Sequence, residues 1–248
     1  MRDFFIFIPM ENTTEIFGVH PVLEAIKSGR AIDKIWLAKE GNHFKDIISI
    51  AKQEGIKLTF VPHQKFRKYQ SKNHQGVVAF LAPISFSDFE VTIQNALEAN
   101  PEAIFLLLDN ITDVRNVGSI LRTAECVGVS AVIIPQQGSA RINNDMVKTS
   151  AGAIFNMPIC KVVHLKDAIY FLQASGVSII GASEKAHQSI FSADLKKPTA
   201  LVLGSEGEGI QRGIVKLLDG IYSIPIHGKT QSLNVSVAAA LFMYELVR

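Results

Sequence analysis

Polar residues of the types and spacing that chemistry needs lie in three segments of the second half of the chain: Asp109–Arg122, Gly204–Gly209 and Pro225–Asn234. The first begins at the end of the predicted strand 103–109, which is continuously apolar up to Leu108, as is typical of a strand buried on both faces. The carboxyl end of such a strand is the usual place for a site in an open α/β sheet. The other two segments contain glycines that let backbone groups approach a ligand, so they predict a small-molecule cleft.

Arg122 is the residue of the first segment that is most available to a ligand. In a helix that begins near Asn116, Ile120 belongs to the buried face and Arg122 lies about 200° around the axis from it. Gly118, one turn earlier, would leave space beside the arginine. The alternative is a surface ion pair between Arg122 and Glu125 on the same helix.

The segment Gly204–Gly209 (GSEGEG) follows a predicted buried strand. Its glycines do not have the order of the dinucleotide-binding fingerprint, and no Gly-Lys-Ser/Thr follows as in a P-loop. Glu206 and Glu208 argue against a phosphate ligand, so a positively charged ligand or a partner arginine fits better. The alternative is a tight turn between strand and helix with exposed glutamates.

Ser232 is predicted to cap the last helix, with Asn234 in its first turn. Capping alone is the alternative to a role in the cleft. The helix itself reads LNVSVAAALFMYE and is too apolar for a surface helix. We therefore expect it to pack on the sheet with one side and on another chain with the other.

A basic cluster in the first third of the chain predicts an RNA-binding surface. Its basic residues are interleaved with Phe66 and Tyr69, a combination suited to phosphate pairing and base stacking on single-stranded or looped RNA. A solvated helix face is the alternative. The four candidate RNA-binding residues are Lys65, Arg67, Lys68 and Lys72.

The composition is that of a packed globular protein of 248 residues, 48% of them hydrophobic, without an apolar run of membrane-spanning length. A formal net charge of +2 is too small to indicate nucleic-acid binding by itself. Cys126 and Cys160 lie far apart without a C-x-x-C partner. We therefore expect two reduced core cysteines, no metal site and a cytoplasmic location.

Helix and strand patterns alternate along the chain, which predicts an α/β fold whose larger domain has a parallel sheet with helices on both faces. We expect four segments: an N-terminal extension at residues 1–14, with Met10 as an alternative start, a small α/β domain at 15–83, a linker at 84–100 and a larger domain at 101–248.

Three motifs in register resemble those of the SpoU/TrmH class of SPOUT RNA 2'-O-methyltransferases. They read NxGxxxR at Asn116–Arg122, LGSEGEG at Leu203–Gly209 and IPIxGxxxSLNVSVAAA at Ile224–Ala240. Val114 departs from the pattern, because many members have proline there. FGVHPVLEAI and HQGVVAFL, in the first domain, resemble a ribosomal L30e-like substrate-binding domain.

The resemblance implies a SPOUT domain whose parallel sheet is threaded into a deep trefoil knot, a homodimer, and S-adenosyl-L-methionine (SAM) as the methyl donor. It also implies that the glycines leave room for SAM against bare backbone. The implied cofactor-binding residues are Gly204, Ser205, Ile224, Gly228 and Leu233.

The reaction implied by the resemblance is methyl transfer to the ribose 2'-oxygen of a guanosine in 23S ribosomal RNA. Arg122 would bind the adjacent phosphate and stabilise the developing alkoxide, since a guanidinium does not act as a base, and Glu206 would fix that guanidinium. The implied catalytic residues are Arg122, Asn116, Glu206, Ser232 and Asn234.

Three alternatives stand beside this function. One is a transfer RNA 2'-O-methyltransferase of the same class. Another is a non-catalytic RNA-binding protein built on the first domain. A nicotinamide-dependent enzyme is disfavoured, because the early glycine fingerprint and its acidic partner are missing.

Overall fold

The computed structural model describes residues 15–39, 44–82, 84–195 and 197–248, and the chain divides after Pro83 into two compact units. The predicted N-terminal extension at residues 1–14, with the alternative start Met10, lies outside the described residues. Each unit is a sheet with its own hydrophobic core.

The first unit is a four-stranded mixed sheet in the order β1-β4-β2-β3. Its strands are β1 (Glu15–Phe17), β2 (Ile32–Ala38), β3 (Lys57–Val61) and β4 (Val77–Leu81), and its helices are α1 (Val19–Lys27), α2 (Lys45–Gln53) and the 3₁₀ helix His63–Tyr69. The sequence predicts a helix over 19–27 and a strand over 32–38, and the bounds of α1 and β2 confirm both.

The two stretches that resemble a substrate-binding domain meet at the start of α1. Gln75 has a positive φ of 48°, and its Oε1 accepts a hydrogen bond of 3.1 Å from the backbone N–H of Val19. Gly76 follows with a φ of 76°, and a Cβ there would come within 3.1 Å of Ala38 and 3.2 Å of Phe44. The HQG sequence is thus used to begin a helix and to close the core beneath it.

The second unit is a seven-stranded sheet in the order β7-β6-β5-β10-β8-β11-β9, in which every strand pair is parallel. Its strands are β5 (Ile104–Leu108), β6 (Ala131–Pro135), β7 (Ile159–Val162), β8 (Ser178–Ala182), β9 (Gln188–Ser189), β10 (Thr199–Leu203) and β11 (Gly220–Ser223). Its helices are α3 (Phe89–Ala99), α4 (Val114–Val127), α5 (Asn144–Thr149), α6 (Leu165–Ala174), α7 (Arg212–Val215) and α8 (Val235–Val247), with 3₁₀ turns at Ala153–Phe155 and Ile190–Ser192. The predicted parallel sheet is confirmed.

Strand β5 is buried on both faces, as its apolar run predicts. Leu106 and Leu108 belong to the core on the side of α4 and α8, while Phe105 and Leu107 belong to the core on the side of α3 and α6. Alternate side chains of one strand thereby hold two layers of helices, and the strand's carboxyl end is fixed in the middle of the molecule's larger sheet.

Residues 84–100, predicted as a linker, are part of the second unit. The N–H of Ser87 donates to the carbonyl of Ile159 at 2.9 Å, and Ile93 of α3 is fully buried in the core beneath β6 and β7. The sequence predicts a connection there because the turns around α3 are polar and the outer side of the helix is exposed, as at Val91, which is 53% exposed.

Helix α4 begins earlier than the predicted position near Asn116. Asp113 is its N-cap, and its Oδ1 accepts from the N–H groups of Arg115 at 2.7 Å and Asn116 at 3.0 Å. Gly118 does not leave space beside Arg122. A Cβ on Gly118 would lie 2.7 Å from the Cβ of Thr149, so this glycine allows α5 to pack closely against α4.

Candidate active site

A cavity of about 320 Å³ opens at the carboxyl edge of the larger sheet. It lies among the ends of β8 and β10, the loop after β11 and the first turns of α8. Four of the predicted cofactor-binding residues line this cavity: Gly204, Ser205, Ile224 and Leu233. Three of the predicted catalytic residues line it too: Glu206, Ser232 and Asn234. Gly228, Asn116 and Arg122 are not among its lining residues.

The loop after β11 supplies the apolar part of this lining. The sequence predicts a strand over 221–226, but the strand ends at Ser223. Ile224 and Ile226 are therefore loop residues, and both face the cavity.

Three polar side chains that are distant in sequence form one hydrogen-bonded network at the cavity. Glu206 Oε1 accepts from Asn116 Nδ2 at 3.0 Å and from Asn234 Nδ2 at 2.7 Å, and Asn234 Nδ2 also contacts Asn116 Oδ1 at 3.0 Å. Each residue comes from one of the three sequence segments singled out for chemistry. The fold therefore joins those segments through a single carboxylate.

Asn234, and not the predicted Ser232, caps α8. Its Oδ1 accepts from the N–H of Ser236 at 3.0 Å and from the Ser236 hydroxyl at 2.6 Å. The amide end of the same side chain remains directed at Glu206. An asparagine can do both because one end of its amide accepts and the other donates. Ser232 lies before the cap, exposed at the cavity.

The glycine loop folds back on itself. Ser205 and Gly209 exchange two backbone hydrogen bonds, of 3.2 Å and 3.0 Å, and Gly209 has a φ of 70°. A Cβ on Gly204 would lie 2.1 Å from the carbonyl carbon of Gly209 and 2.2 Å from the nitrogen of Ile210. The loop's own backbone therefore fills the space that a side chain at position 204 would take, and Gly204 lines the cavity with bare backbone.

Arg122 lies apart from the network within its own chain. It follows Asn116 by about 9 Å along α4 and about 120° around it. Its side chain is exposed, and among the described residues it makes no hydrogen bond or ion pair. Neither predicted partner contacts it. Glu206 is bound to two amides, and the Glu125 carboxylate accepts from Asn156 Nδ2 at 3.5 Å.

Residues 103–244 match the SpoU rRNA Methylase family, and residues 16–87 match the family described as RNA 2'-O ribose methyltransferase substrate binding. The first match alone spans more than half of the chain. The chain belongs to the SpoU rRNA methylase family. The predicted resemblance is confirmed for both units.

Relatives of nearly the same length support the same family. The putative TrmH family tRNA/rRNA methyltransferase YacO of Bacillus subtilis (strain 168) is 34% identical over 235 residues, which is 94% of each chain. A putative TrmH family tRNA/rRNA methyltransferase of Staphylococcus haemolyticus (strain JCSC1435) is 38% identical over 236 residues, again 94% of each chain.

Solved structures share the architecture. The SpoU methyltransferase AviRb from Streptomyces viridochromogenes in complex with AdoMet gives a TM-score of 0.58 at 23% identity, covering 94% of this chain and 88% of that one. The AdoMet-bound rRNA methyltransferase from Sinorhizobium meliloti gives 0.59 at 21% identity, covering 94% and 86%. At these identities the similarity establishes the fold.

Two features of this SpoU family site were not assigned from the sequence. Ala182, Ser183 and Glu184 line the cavity at the end of β8. The signal that could have found them is their position at the carboxyl end of a parallel strand beside β10. The second feature is Asp109, which follows β5 and received no role of its own.

Asp109 is fully buried and holds the end of the glycine loop. Its Oδ2 accepts from the N–H of Gln211 at 2.7 Å, and its Oδ1 accepts from Gln211 Nε2 at 2.8 Å. Burial raises the pKa of the Asp109 carboxyl above its usual value, and the two hydrogen bonds from Gln211 act in the opposite direction. Gln211 comes two positions after Gly209, so Asp109 fixes where that loop returns to the sheet.

We expect Asp109→Ala to lower the free energy of unfolding by about 1–3 kcal/mol, because two donors of Gln211 lose their acceptors. Asp109→Asn, the matched control, keeps one acceptor and should cost much less. Because the folded pKa is raised, protonation of Asp109 favours the folded state. The stability gap between wild type and Asp109→Ala should therefore widen as the pH falls through that pKa. Urea unfolding at several pH values measures it, and a gap that narrows in acid would contradict this assignment.

The basic cluster of the first unit is exposed, but its aromatic residues are not. Lys65, Arg67, Lys68 and Lys72 all face solvent. Phe66 and Tyr69 are buried, 1% and 6% exposed, and Tyr69 packs against Phe17 with ring centroids 5.0 Å apart. The predicted stacking of bases on these two rings is therefore wrong. They anchor the 3₁₀ helix to the sheet.

Over the described ranges, no helix is long and apolar enough to cross a membrane. A search of the same ranges for three or more His, Cys, Asp or Glu side chains grouped as metal ligands finds none. Cys160 is buried and Cys126 is exposed on α4, so the expectation of two core cysteines holds only for Cys160.

Proposed function

We propose that this SpoU family member transfers a methyl group from SAM to the ribose 2'-oxygen of a guanosine in 23S ribosomal RNA. The observation that carries the proposal is the network of Asn116, Glu206 and Asn234 at the cavity. It joins all three motif segments beside one pocket at the carboxyl edge of a parallel sheet. Family membership and two TrmH-type relatives support the chemistry.

The cavity suits SAM in size and in chemistry. Its lining combines apolar Ile224, Leu233 and Phe242 with the backbone of Gly204 and with the carboxylate of Glu206. Apolar side chains suit an adenine ring, and a carboxylate at the rim is complementary to a sulfonium. When bound, SAM supplies an electrophilic methyl group.

Arg122 binds the phosphate next to the target ribose and stabilises negative charge on the 2'-oxygen. A guanidinium stays protonated at neutral pH, so the proton passes to a phosphate oxygen or a water molecule. Asn116 and Asn234 are held by Glu206 and orient the groups at the cavity mouth. Holding the 2'-oxygen in line with the methyl group supplies much of the rate.

The protein acts as a homodimer in this proposal, and α8 forms the contact. Its inner side is buried in the core, while its outer side carries an apolar stripe at helical spacing. The stripe consists of Val237, Leu241, Tyr244 and Val247, exposed by 48%, 39%, 58% and 41%. Since Arg122 forms no hydrogen bond or ion pair with the network of its own chain, Arg122 of a second copy completes the site in this proposal. We also propose that the chain of the second unit forms the deep trefoil knot of this class.

Methyl transfer from labelled SAM to total, ribosomal and transfer RNA tests the function, followed by mapping of the modified nucleotide. A methyl group on a guanosine 2'-oxygen of 23S RNA is the expected product. Label in transfer RNA alone would show that transfer RNA, and not ribosomal RNA, is the substrate. Label on a base atom would show that the reaction is not 2'-O-methylation. Absence of SAM binding in calorimetry, with RNA binding intact, would favour a non-catalytic RNA-binding protein.

We expect Leu241→Glu combined with Tyr244→Glu to convert the dimer into monomers and to abolish methyl transfer. The two charges would lie in the apolar stripe, where a dimer contact desolvates them. Tyr170→Glu is the matched control, because Tyr170 is 56% exposed on α6, across the sheet from α8. Light scattering gives the mass. A wild-type monomer with full activity would exclude the dimer.

A further inference from the structure

Among the described residues, one face of the first unit's sheet is only partly covered. Two rows of side chains cross the four strands on this face, defined by the pairing register. One row is Phe17, Val78, Trp36 and Thr59, and the next is Glu15, Phe80, Lys34 and Lys57. The 3₁₀ helix His63–Tyr69 covers the Phe17 end of the first row through Tyr69. Val78, the next residue of that row, is fully buried. Trp36, Phe80 and Lys34 are partly exposed. We call these two rows, with Lys68, the open face.

Aromatic rings and lysines alternate on the open face. Trp36 and Phe80 meet edge to face with centroids 4.9 Å apart. Lys34 Nζ lies 4.9 Å from the Phe80 centroid, and Lys68 Nζ reaches in from the 3₁₀ helix to 5.4 Å from the Trp36 ring. Glu15 holds Lys68 there through an ion pair of 3.7 Å. The two rings and the two lysines thus form one continuous set of contacts.

The charge on the open face is positive. Its two rows and Lys68 carry three lysines, Lys34, Lys57 and Lys68, against the single carboxylate of Glu15. The exposed cations Lys65, Arg67 and Lys72 extend the same sign along the adjoining 3₁₀ helix and the turn after it. Lysine is depleted at the centre of protein–protein interfaces, whereas lysines set among aromatic rings suit a polyanion with flat bases.

We propose that the open face binds a single-stranded segment of the RNA substrate, with bases stacked on Trp36 and Phe80 and phosphates paired with Lys34, Lys57 and Lys68. The inference rests on the proposed RNA substrate and goes beyond it by assigning the surface that holds it. Bases have π-faces whatever their sequence, so the open face contributes affinity and leaves the choice of nucleotide to the rest of the enzyme.

Trp36 is the only tryptophan in the chain, so its fluorescence reports on the open face alone. The experiment adds a 12-nucleotide single-stranded RNA of mixed sequence to the full chain, without SAM, and follows Trp36 emission and RNA anisotropy together. We expect the emission to be quenched at the concentrations where anisotropy rises.

Variants separate stacking from charge. Phe80→Leu should weaken RNA binding about tenfold, the effect of one lost stacking contact. Lys34→Gln, a change that leaves the core intact, should weaken binding and reduce the slope of log K against log salt by about one. The matched controls are Phe60→Leu, since Phe60 is 51% exposed on the opposite face, and Lys52→Gln on α2. Both should bind RNA as wild type does.

Steady-state kinetics should show that Lys34 contributes to RNA binding and not to the chemical step. Lys34→Gln should raise KM for RNA and leave kcat and the SAM affinity unchanged. The inference would be overturned if RNA bound without changing Trp36 emission and Lys34→Gln bound RNA as tightly as Lys52→Gln. It would also be overturned if a protein partner quenched Trp36 emission and RNA did not. If wild type quenches with RNA but transfers no methyl group, the proposed function fails while the RNA surface stands.

Discussion

Arg122→Ala should lower kcat for methyl transfer by about 10²–10³-fold while SAM affinity and stability stay at wild-type values. The loss is of the size found when one fixed donor to a developing oxyanion is removed. Arg122 is exposed, and within its own chain it forms no ion pair or hydrogen bond among the described residues. Its removal therefore leaves no buried partner without a contact. A change in rate can then be assigned to the reaction and not to folding.

Arg115→Ala is the matched control for Arg122→Ala. Arg115 precedes Arg122 by seven positions on α4, which places it about 10 Å along the helix on nearly the same side. It is exposed and cationic too, so a general loss of positive charge should affect both variants alike. We expect Arg115→Ala to change kcat less than about threefold, since its contribution is only to the surface potential. Single-turnover assays at saturating RNA measure this, and equal losses in both variants would refute a special role for Arg122.

Mixed dimers show which chain supplies the arginine. A dimer of one Arg122→Ala chain and one Asn234→Asp chain has one intact site if Arg122 acts on the partner's network, and none if it acts on its own. We expect activity to return when the two inactive proteins are exchanged into mixed dimers. No recovery in verified mixed dimers would place the guanidinium in its own chain's site, which requires a movement of α4 or of the glycine loop.

Much of the fold could be predicted because its signals are local. A continuous apolar run marks β5, and amphipathic spacing with a glycine stop marks α1 and α2. The parallel order follows from strands that alternate with helices. The site's position also follows, since the three polar segments come at the carboxyl ends of strands. These inferences need only neighbours within about one turn or one strand.

The partners of individual side chains could not be predicted, because they join residues that are far apart in sequence. Asn116 and Glu206 are separated by 90 positions, and Asn234 and Asn116 by 118. Glu206 was expected to hold Arg122 because a carboxylate attracts a guanidinium, yet the fold brings two amides to it first. Likewise, no local signal shows that a side chain at position 204 would collide with Gly209 and Ile210 of the same loop.

The residues proposed to stack on bases could not be predicted from the sequence either, because their partners are also distant in sequence. Aromatic residues next to lysines in sequence, Phe66 and Tyr69, are buried, because a 3₁₀ helix must use apolar side chains to attach to the sheet. Trp36 and Phe80 lie on different strands and carry no such signal. They meet only because the register places them diagonally on one face.

Asn234→Asp should strongly impair methyl transfer, although it replaces only the amide group and keeps the helix cap. An aspartate still accepts from Ser236, as Asn234 does now at 3.0 Å and 2.6 Å. It can no longer donate to Glu206, which now receives a hydrogen bond of 2.7 Å, and it places a second carboxylate against the first. Losing a hydrogen bond to a charged group and adding like-charge repulsion costs about 2–4 kcal/mol, or about 30–1000-fold in rate or SAM affinity.

Glu206→Gln separates the two parts of that loss. Alone, the glutamine keeps a carbonyl oxygen for the amides of Asn116 and Asn234, so we expect a decrease of about tenfold or less. When Glu206→Gln is combined with Asn234→Asp, the new glutamine can donate to the new aspartate, the repulsion is absent, and the direction of the hydrogen bond is reversed. Activity of the double variant should therefore exceed that of Asn234→Asp alone, which is a coupling that independent sites do not show. If the two losses simply add while thermal unfolding is unchanged, the network does not organise the site, and Asn234 serves α8 alone.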